Sequence, residues 1–536
     1  MTLSPDAANR TRQRRRPRWA WLLGVASVTW VIAGGSAGAA ALSTGSGSGS
    51  GSWTVYHHDA AGRGVVASAT AVDTSNRAWT SPALDGQVYG EPLVWSGRIY
   101  VATENDTVYA LSPGTGAVRW SAHLGSPVPS GSLPCGDITP TVGITGTPVI
   151  DRSRGEIFVV AGELLHGKPA HLLVGLSTSS GKREMSQNVD PAGADPAALL
   201  QRTGLTLDAG RVVFGFGGNY GDCASYRGRV VAVPETGGTP TDFTVDAAAG
   251  QSQGAIWMGG AAPAVDGSGH IWVSAGNGSV RSAGQAYDNS DSALELSSSL
   301  RRLQFFAPGD WASDNANDLD MSTVPVLLSD GQVLLTGKSR IVYLLNGARL
   351  GGIGGQQAAT GQVCGSDIDG GAAVVGTTAY LPCLDGIIAV RAVKSPPAVS
   401  LVWSSGTGGG PPIVAAGLVW TIGQDGTLYG LDPATGKVRQ QASIGAGASH
   451  FPTPSVGNGL LLAPAGDHVV AFTTSASGGS AGSAPQPGPS AGQATRRAGR
   501  PGTMSAGTIA GIVAGGVVVI GGIGWLAWRR RAGSAR

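Results

Sequence analysis

Residues 108–120 (VYALSPGTGAVRW) and residues 428–440 (LYGLDPATGKVRQ) are near copies of one another, 320 positions apart. They belong to a longer series. Short apolar strings recur at 109–111, 174–176, 231–233, 294–296, 343–345, 388–390, 429–431 and 470–472. Each follows a β-rich run such as RIYVAT (98–103), HIWVSA (270–275) or LVWTIG (418–423). Before each of those stands a run of small and β-branched residues, often with proline, such as EPLVW or PPIVAAG. We name these strands a, b and c. A glycine turn at Gly116, Gly181, Gly237 or Gly436 then leads to a fourth strand, d. Four antiparallel strands repeated every 41 to 65 residues predict a β-propeller. A lone blade cannot bury both faces of its sheet, whereas a closed ring buries both and leaves only short edges. The count predicts eight four-stranded blades, or seven if the fifth repeat is not a blade; a β-sandwich with compositional repetition is the competing architecture. The last repeat stops after strand c at Phe472, so its d strand is expected from the N-terminal part, near residues 77–84.

The string YALSPGTGAVRW resembles the repeat of quinoprotein-type (PQQ-binding-like) propellers, Ala-x-Asp-x-x-x-Gly-x-x-x-Trp. This chain offers Ala110, Ser112, Gly116 and Trp120, then Gly430, Asp432, Gly436 and Gln440, then Gly175, Ser177, Gly181 and Met185. In that family the tryptophan docks on a neighbouring blade, and among these copies only Trp120 keeps it. The strings LPCGDI, GITGTPVID, YDNSDSALELS and NDLDMSTVP are similar to exported, actinobacterial-type members, a resemblance that implies a fold and no particular activity. A dehydrogenase of the family would hold PQQ and Ca²⁺ with a vicinal Cys-Cys disulfide, an opposing tryptophan, calcium ligands and a catalytic aspartate. No two cysteines are adjacent here. Trp257 is the candidate for stacking on a flat cofactor, although a core tryptophan is the plainer expectation.

The ends read differently from the middle. Residues 1–42 combine six arginines with an apolar stretch and small residues, the pattern of an export signal or an uncleaved anchor. Residues 507–528 carry no charge, are long enough to span a bilayer and precede Arg529, Arg530 and Arg531, which predicts a transmembrane helix and a cytoplasmic tail at 529–536. Gly507, Gly511 and Gly515 would let that helix pack against another. Residues 43–52 and 475–506 are Gly/Ser- and Ser/Gly/Ala/Pro-rich linkers, leaving 53–474 as the propeller. The tails hold 13 of the 36 Lys and Arg and one of the 34 Asp and Glu, so the propeller carries 23 basic and 33 acidic residues, a net charge of −10. That charge excludes a nucleic-acid partner, which requires clustered Lys and Arg.

Strand order assigns the loops to two rims. The a–b and c–d turns are short and turn-like, as in DGSG (266–269) and PATG (433–436). The b–c loops and d–a connections are long, and they hold Glu104, Asp106, Asp137, Asp222, Asp288, Asp291, Asp314, Asp318, Asp320, Asp367, Asp369, Asp385, Asp425 and Asp467. Function is expected on this acidic loop rim. Four cysteines in an exported domain predict disulfides. Cys364 precedes strand a of repeat six and Cys383 ends its strand b, so these pair, leaving Cys135 with Cys223 on neighbouring blades. In SDNANDLD (313–320), Asp314, Asn317, Asp318 and Asp320 are candidate metal ligands, against a plainer reading as turn-capping side chains in a solvated loop. His57 and Asp59 in HHD do not make a metal pair, because neighbours on an extended chain diverge. Gly34-x-Ser36-x-Gly38 matches a hydrolase elbow by letter alone, inside the export segment.

The expected protein is a membrane-tethered, extracytoplasmic propeller that binds a protein, glycan or cell-envelope component through its acidic rim. The alternative is a PQQ/Ca²⁺-dependent quinoprotein dehydrogenase. An assembly scaffold of outer-membrane type is a third reading, on fold analogy alone.

Overall fold

A computed structural model describes residues 51–67, 69–446 and 451–476. The export or anchor segment, most of both linkers and the transmembrane stretch lie outside the described residues. Among the described residues no helix is long and apolar enough to cross a membrane.

The chain forms an eight-bladed β-propeller of antiparallel blades. Blade one is Leu93–Trp95, Arg98–Ala102, Thr107–Leu111 and Val118–His123, hydrogen-bonded in the order a-b-c-d. The pattern repeats with growing and shrinking loops. Blade two runs from Val149–Asp151 to Arg183–Asn188, and blade three from Thr206–Asp208 to Thr241–Thr244. Blade four runs from Ala264–Val265 to Arg302–Ala307 and gains an outer parallel strand, Gly352–Ile353. The fifth repeat is a full blade, from Val326–Leu327 to Ala358–Gln362, so the ring has eight members rather than seven. Blades six and seven end at Pro397–Ser404 and Val438–Ser443.

Blade eight is made from both ends of the chain. Its strands Ser455–Gly457, Leu460–Ala465 and His468–Ala476 lack a d strand of their own. Trp79–Thr80 supplies it by pairing with Ala471 and Val470, and Ala69–Val72 extends the pairing to Thr474. Backbone bonds from Ser81 to Val469 (2.9 Å) and Leu84 to Asp467 (2.9 Å) continue the seam. One apolar cluster runs unbroken across it, from Trp420 of blade seven through Leu461 and Ile99 to Ile157 of blade two.

At three joints, a blade is held to its neighbour by an indole laid on a glycine. Trp79 of the closing strand lies over Gly116 of blade one, Trp120 over Gly181 of blade two, and Trp403 of blade six over Gly436 of blade seven. Each indole N–H donates to a carbonyl of the same turn: Pro113 (2.7 Å), Thr178 (3.1 Å) and Pro433 (3.0 Å). Those glycines sit at φ 69°, 73° and 68°, and a Cβ on any of them would stand 2.4–2.6 Å from the ring. The docking tryptophan is therefore kept at three joints, not only at Trp120. Trp403 escapes the sequence motif because the c–d hairpin of blade six is longer: Ala389 pairs with Trp403, fourteen residues on, where Ala110 pairs with Trp120, ten residues on.

Residues 51–66 fill the axis near the turn rim. Gly51 O accepts from Asn458 N of blade eight (3.3 Å), and Trp53 exchanges two backbone bonds with Val94 of blade one. Thr54, Ala60, Arg63 and Gly64 accept from Ile150, Val265, Val374 and Val414, the a strands of blades two, four, six and seven. Val65–Val66 then runs parallel to the last of these strands. Buried Glu91 anchors the segment, accepting from Trp53 Nε1 (2.9 Å) and His57 N (2.8 Å). His57, of the HHD string, stacks on Tyr56 at 4.2 Å and places Nδ1 3.2 Å from Ala372 O. It belongs to this axial segment.

Because Trp79 closes the ring, Trp79→Ala is expected to cost about 3 kcal/mol, the usual loss for a large buried aromatic. Gly116→Ala, which drives a methyl into that ring, is expected to cost about 1–3 kcal/mol. The midpoint of denaturant unfolding measures both, and a mid-strand control on a solvent face, such as Gln441→Ala, should stay within about 0.5 kcal/mol of wild type.

Candidate functional site

The connections that cross the loop rim interlock over the axis. After strand d of blade three, a single 3₁₀ turn at Met258–Gly260 brings Gly259 (φ 54°) so near the connection before blade six that a Cβ would lie 2.3 Å from Gly370 N. Gly260 O accepts from Gly204 N (3.0 Å), tying in the connection before blade three, and Gly260 also packs beside Phe451 from the connection before blade eight. Four connections thus share one floor, and the side chains they carry face one another.

On one side of that floor stands Lys338, from the short b–c loop of blade five. Its ammonium contacts Asp320 Oδ2 at 2.5 Å and Asp318 Oδ1 at 2.9 Å, and lies 5.7 Å from the centre of the Trp257 ring. Burial would lower this lysine, but the two carboxylates outweigh burial and hold it above the ordinary value. Asn277, two residues past strand b of blade four, donates its backbone N–H to Asp320 Oδ1 (2.5 Å) and its amide to Asp318 Oδ1 (2.8 Å). Trp257 is half-buried here, its edge set against Phe451 at 6.4 Å. It lines the rim as well as packing on a core cluster, where sequence reasoning expected a core tryptophan.

On the other side Arg202 is buried beneath Phe451, its guanidinium 3.9 Å from the ring centre and 5.9 Å from that of Tyr89. Burial lowers it, while Asp137, Tyr89, Glu104 and Asp369 pull the other way. Glu104 receives Gly143 N (2.8 Å) and Thr145 Oγ1 (3.1 Å), and burial pushes its carboxyl up to about 7. Asp369 is pushed up to about 6 by the same cause. Carboxylates from the b–c loop of blade one (Glu104) and from the connections before blades two, five and six (Asp137, Asp318, Asp320 and Asp369) therefore act on the two cations, and Asp369 acts on both.

The acidic residues singled out in the sequence divide by environment. Asp318 and Asp320 meet at Lys338. Asp314 is buried in the seven-residue helix Trp311–Asn317, and Asn317 bonds back to Ser313 O (2.8 Å) on its exposed side. This stretch is a helix ended by Asp318 in the left-handed region (φ 58°), where a solvated loop was expected. Its Asn315 receives Gly278 N (2.6 Å) and donates to Val280 O (2.6 Å) and Ser290 Oγ (2.8 Å), which staples the YDNSDS segment to the blade and buries Asp288 and Asp291. Asp222 bonds the Tyr226 hydroxyl (2.8 Å), and Asp367 and Asp385 lie near Cys364–Cys383. Asp425 bonds the Tyr429 hydroxyl (2.5 Å) and Asp467 faces His468 (2.5 Å), both on the exposed edge. Of the repeat-motif residues, Gly116 receives Trp79 at the closing joint, Ala110 pairs with Trp120, whose indole lies over Gly181 at the next joint, and Asp432 and Gly436 shape the turn that receives Trp403.

Both expected disulfides form. Cys135–Cys223 links the connection before blade two to the b–c loop of blade three, and Cys364–Cys383 closes blade six, with Cα separations of 6.2 and 6.0 Å. Beside the first, Tyr220 is 71% exposed. Sequence reasoning named the acids and missed Arg202, Lys338, Asn277 and Phe451. The available signal was Lys338, a cation in a tight b–c loop on the acidic rim.

Residues 62–303 match a sequence profile described as outer membrane protein assembly factor BamB. No curated protein matches the chain in sequence. Among solved structures, quinohemoprotein alcohol dehydrogenase ADHIIG from Pseudomonas putida HK5 is similar at a TM-score of 0.60, with 13% identity over 82% of each chain. The quinohemoprotein alcohol dehydrogenase of Comamonas testosteroni gives 0.57 and 16% identity, over 79% of this chain and 80% of that one. A europium-containing methanol dehydrogenase gives 0.54 and 15%, over 77% and 89%. The fold is that of PQQ-like β-propellers.

The residues present do not fit a quinone held with a divalent cation. The Lys338 ammonium already stands between Asp318 and Asp320, where a cation would need those oxygens. The cysteines are spent in bridges spanning 88 and 19 residues rather than an adjacent pair, and the Trp257 ring packs at 83° to Phe451 with the Lys338 ammonium over it, 5.7 Å from its centre.

Burial fixes the pH response. Asp106 and Asp246 are pushed up to about 9, by burial first and by the neighbouring Glu163 and Asp288 second. Asp314 and Glu104 rise to about 7 and Asp369 to about 6, in each case chiefly through burial. A carboxyl whose folded pKa is raised contributes fully below about pH 4 and loses that contribution as pH climbs to the folded value. His57, lowered to about 4 by burial, has the opposite effect and costs stability only as pH falls from about 6.5 toward 4. The thermal midpoint should therefore be higher near pH 6 than at pH 9. Asp106→Asn should raise it selectively at the alkaline end, and a midpoint equal to wild type there would count against a buried, neutral Asp106.

Proposed function

We propose that this protein is an exported propeller, tethered to the membrane through residues 507–528 with its C-terminus cytoplasmic, that binds another protein through the acidic loop rim. The observation that carries the reading is the closed charge balance at the axis. Lys338 and Arg202 are matched by the protein's own carboxylates and aromatic rings, and residues 51–66 fill the axis from the turn rim. Such a recess supports recognition better than turnover. Around it the rim offers exposed groups for a partner: Tyr220, the Asp318 carboxylate (72% exposed), Asp385 and Asp425. An exposed tyrosine and exposed carboxylates on the same rim suit a protein surface bearing Lys and Arg, since aromatic anchors supply contact area and rim charges steer encounter.

The test places a photo-crosslinking residue at position 220 of the full chain in its native envelope, with position 96 on the turn rim as control. A defined adduct at 220 that position 96 does not form is expected. Each exposed carboxylate contributes up to about 1 kcal/mol. The triple variant Asp318→Asn, Asp385→Asn, Asp425→Asn should therefore weaken binding of the crosslinked partner roughly 10- to 100-fold, and the loss should shrink at high salt. Glycan capture would replace the protein partner. Dye reduction with alcohols in the presence of quinone and Ca²⁺ would replace the binding reading with the dehydrogenase.

A further inference from the structure

Blade four breaks the repeat at one register. In blades one, two, six and seven the c-strand residue facing the docking position is Ala110, Gly175, Ala389 and Gly430, opposite Trp120, Met185, Trp403 and Gln440. In blade four the pair is Glu295 and Gln304. A carboxylate replaces the small residue that elsewhere makes room for an indole, and it is only 5% exposed. Such a group is costly to bury unless it is matched. Two side chains of the a–b turn region meet it. His270 Nδ1 lies 2.6 Å from Glu295 Oε1 and 3.7 Å from Asp266 Oδ2, and one donor atom from each of the three residues lies within 4.8 Å of the other two.

We propose that Asp266, His270 and Glu295 bind a zinc ion on the turn rim of blade four. Donors about 2.0–2.2 Å from a tetrahedral zinc stand roughly 3.4 Å apart, and the present spacings of 2.6 and 3.7 Å bracket that figure. One imidazole and two carboxylates are zinc donors of ordinary type, and two negative charges neutralise the ion. The outer contacts are already built. Gln304 donates to Glu295 Oε2. Asp266 Oδ1 accepts from the backbone of Ser268 (2.7 Å) and His270 (3.0 Å), while Trp272 Nε1 holds Asp266 Oδ2 (3.0 Å). The His270 side chain is 37% exposed, so a fourth position opens to water. Gln304 stands at the register an indole fills in blades one and six, and it also donates to Gly347 O of blade five (2.9 Å).

The test is calorimetric titration of the chelator-stripped full chain, in detergent micelles, with Zn²⁺, alongside X-ray absorption of the loaded protein. One zinc per chain is expected, in a shell of nitrogen and oxygen with one imidazole, together with a raised thermal midpoint. His270→Ala and Glu295→Gln should abolish uptake, and Gln304→Leu should weaken it about 10- to 100-fold, as loss of an outer-shell support does. His270 lies at the surface edge of the blade, so His270→Ala keeps the test valid if Glu295→Gln fails to fold. No uptake, uptake unchanged in His270→Ala, or a sulfur-containing shell would overturn the proposal.

Discussion

The structure depends on a pairing between residues almost four hundred positions apart. Trp79–Thr80 and Val470–Ala471 join strands d and c of blade eight without chain running between them, whereas each of the other seven blades takes its four strands from one stretch of chain. The backbone ladder sets the register there, and the Trp79 indole on Gly116 carries the same contact onward into blade one. The apolar cluster that spans the seam is continuous with the cores of blades seven and two, so closure is achieved by burial as well as by hydrogen bonds.

Closure also decides where charge can sit. Inner strands converge on an axis that residues 51–66 occupy from one end, which leaves the loop rim as the side where polar groups gather without water on all sides. There Glu104, Asp369 and Arg202 are buried, and each is tolerated because it is neutralised, hydrogen-bonded or covered by an aromatic face. The same reasoning explains why the structure resembles quinone-dependent enzymes in fold yet fills the axial ground with its own lysine and phenylalanine.

Much of the fold was legible because blades are local: strands a, b and c follow one another within 19 residues in blade one and 33 in blade four, so their order survives insertions in the loops. The closing strand and both cysteine pairs were legible for a related reason, since strand order alone brings those positions together. Trp403 was not, because a longer hairpin changed its spacing from Ala389 while keeping its register. Arg202, Phe451 and Lys338 were not, because connections from different blades meet only once the ring is closed. The segment 51–66 was read as the end of a linker and the start of an ordinary domain. Its glycines and paired histidines make sense only against six inner strands that contact it in three dimensions.

That axial segment has a consequence for how the molecule is made. The residues synthesised early must wait at the centre for strands that arrive last, so the inner edges of blades six, seven and eight find their final hydrogen-bond partners in polypeptide that left the ribosome long before them. A strip of fewer than twenty residues thus fixes where the last inner edges come to rest, and it serves the finished protein as their gauge.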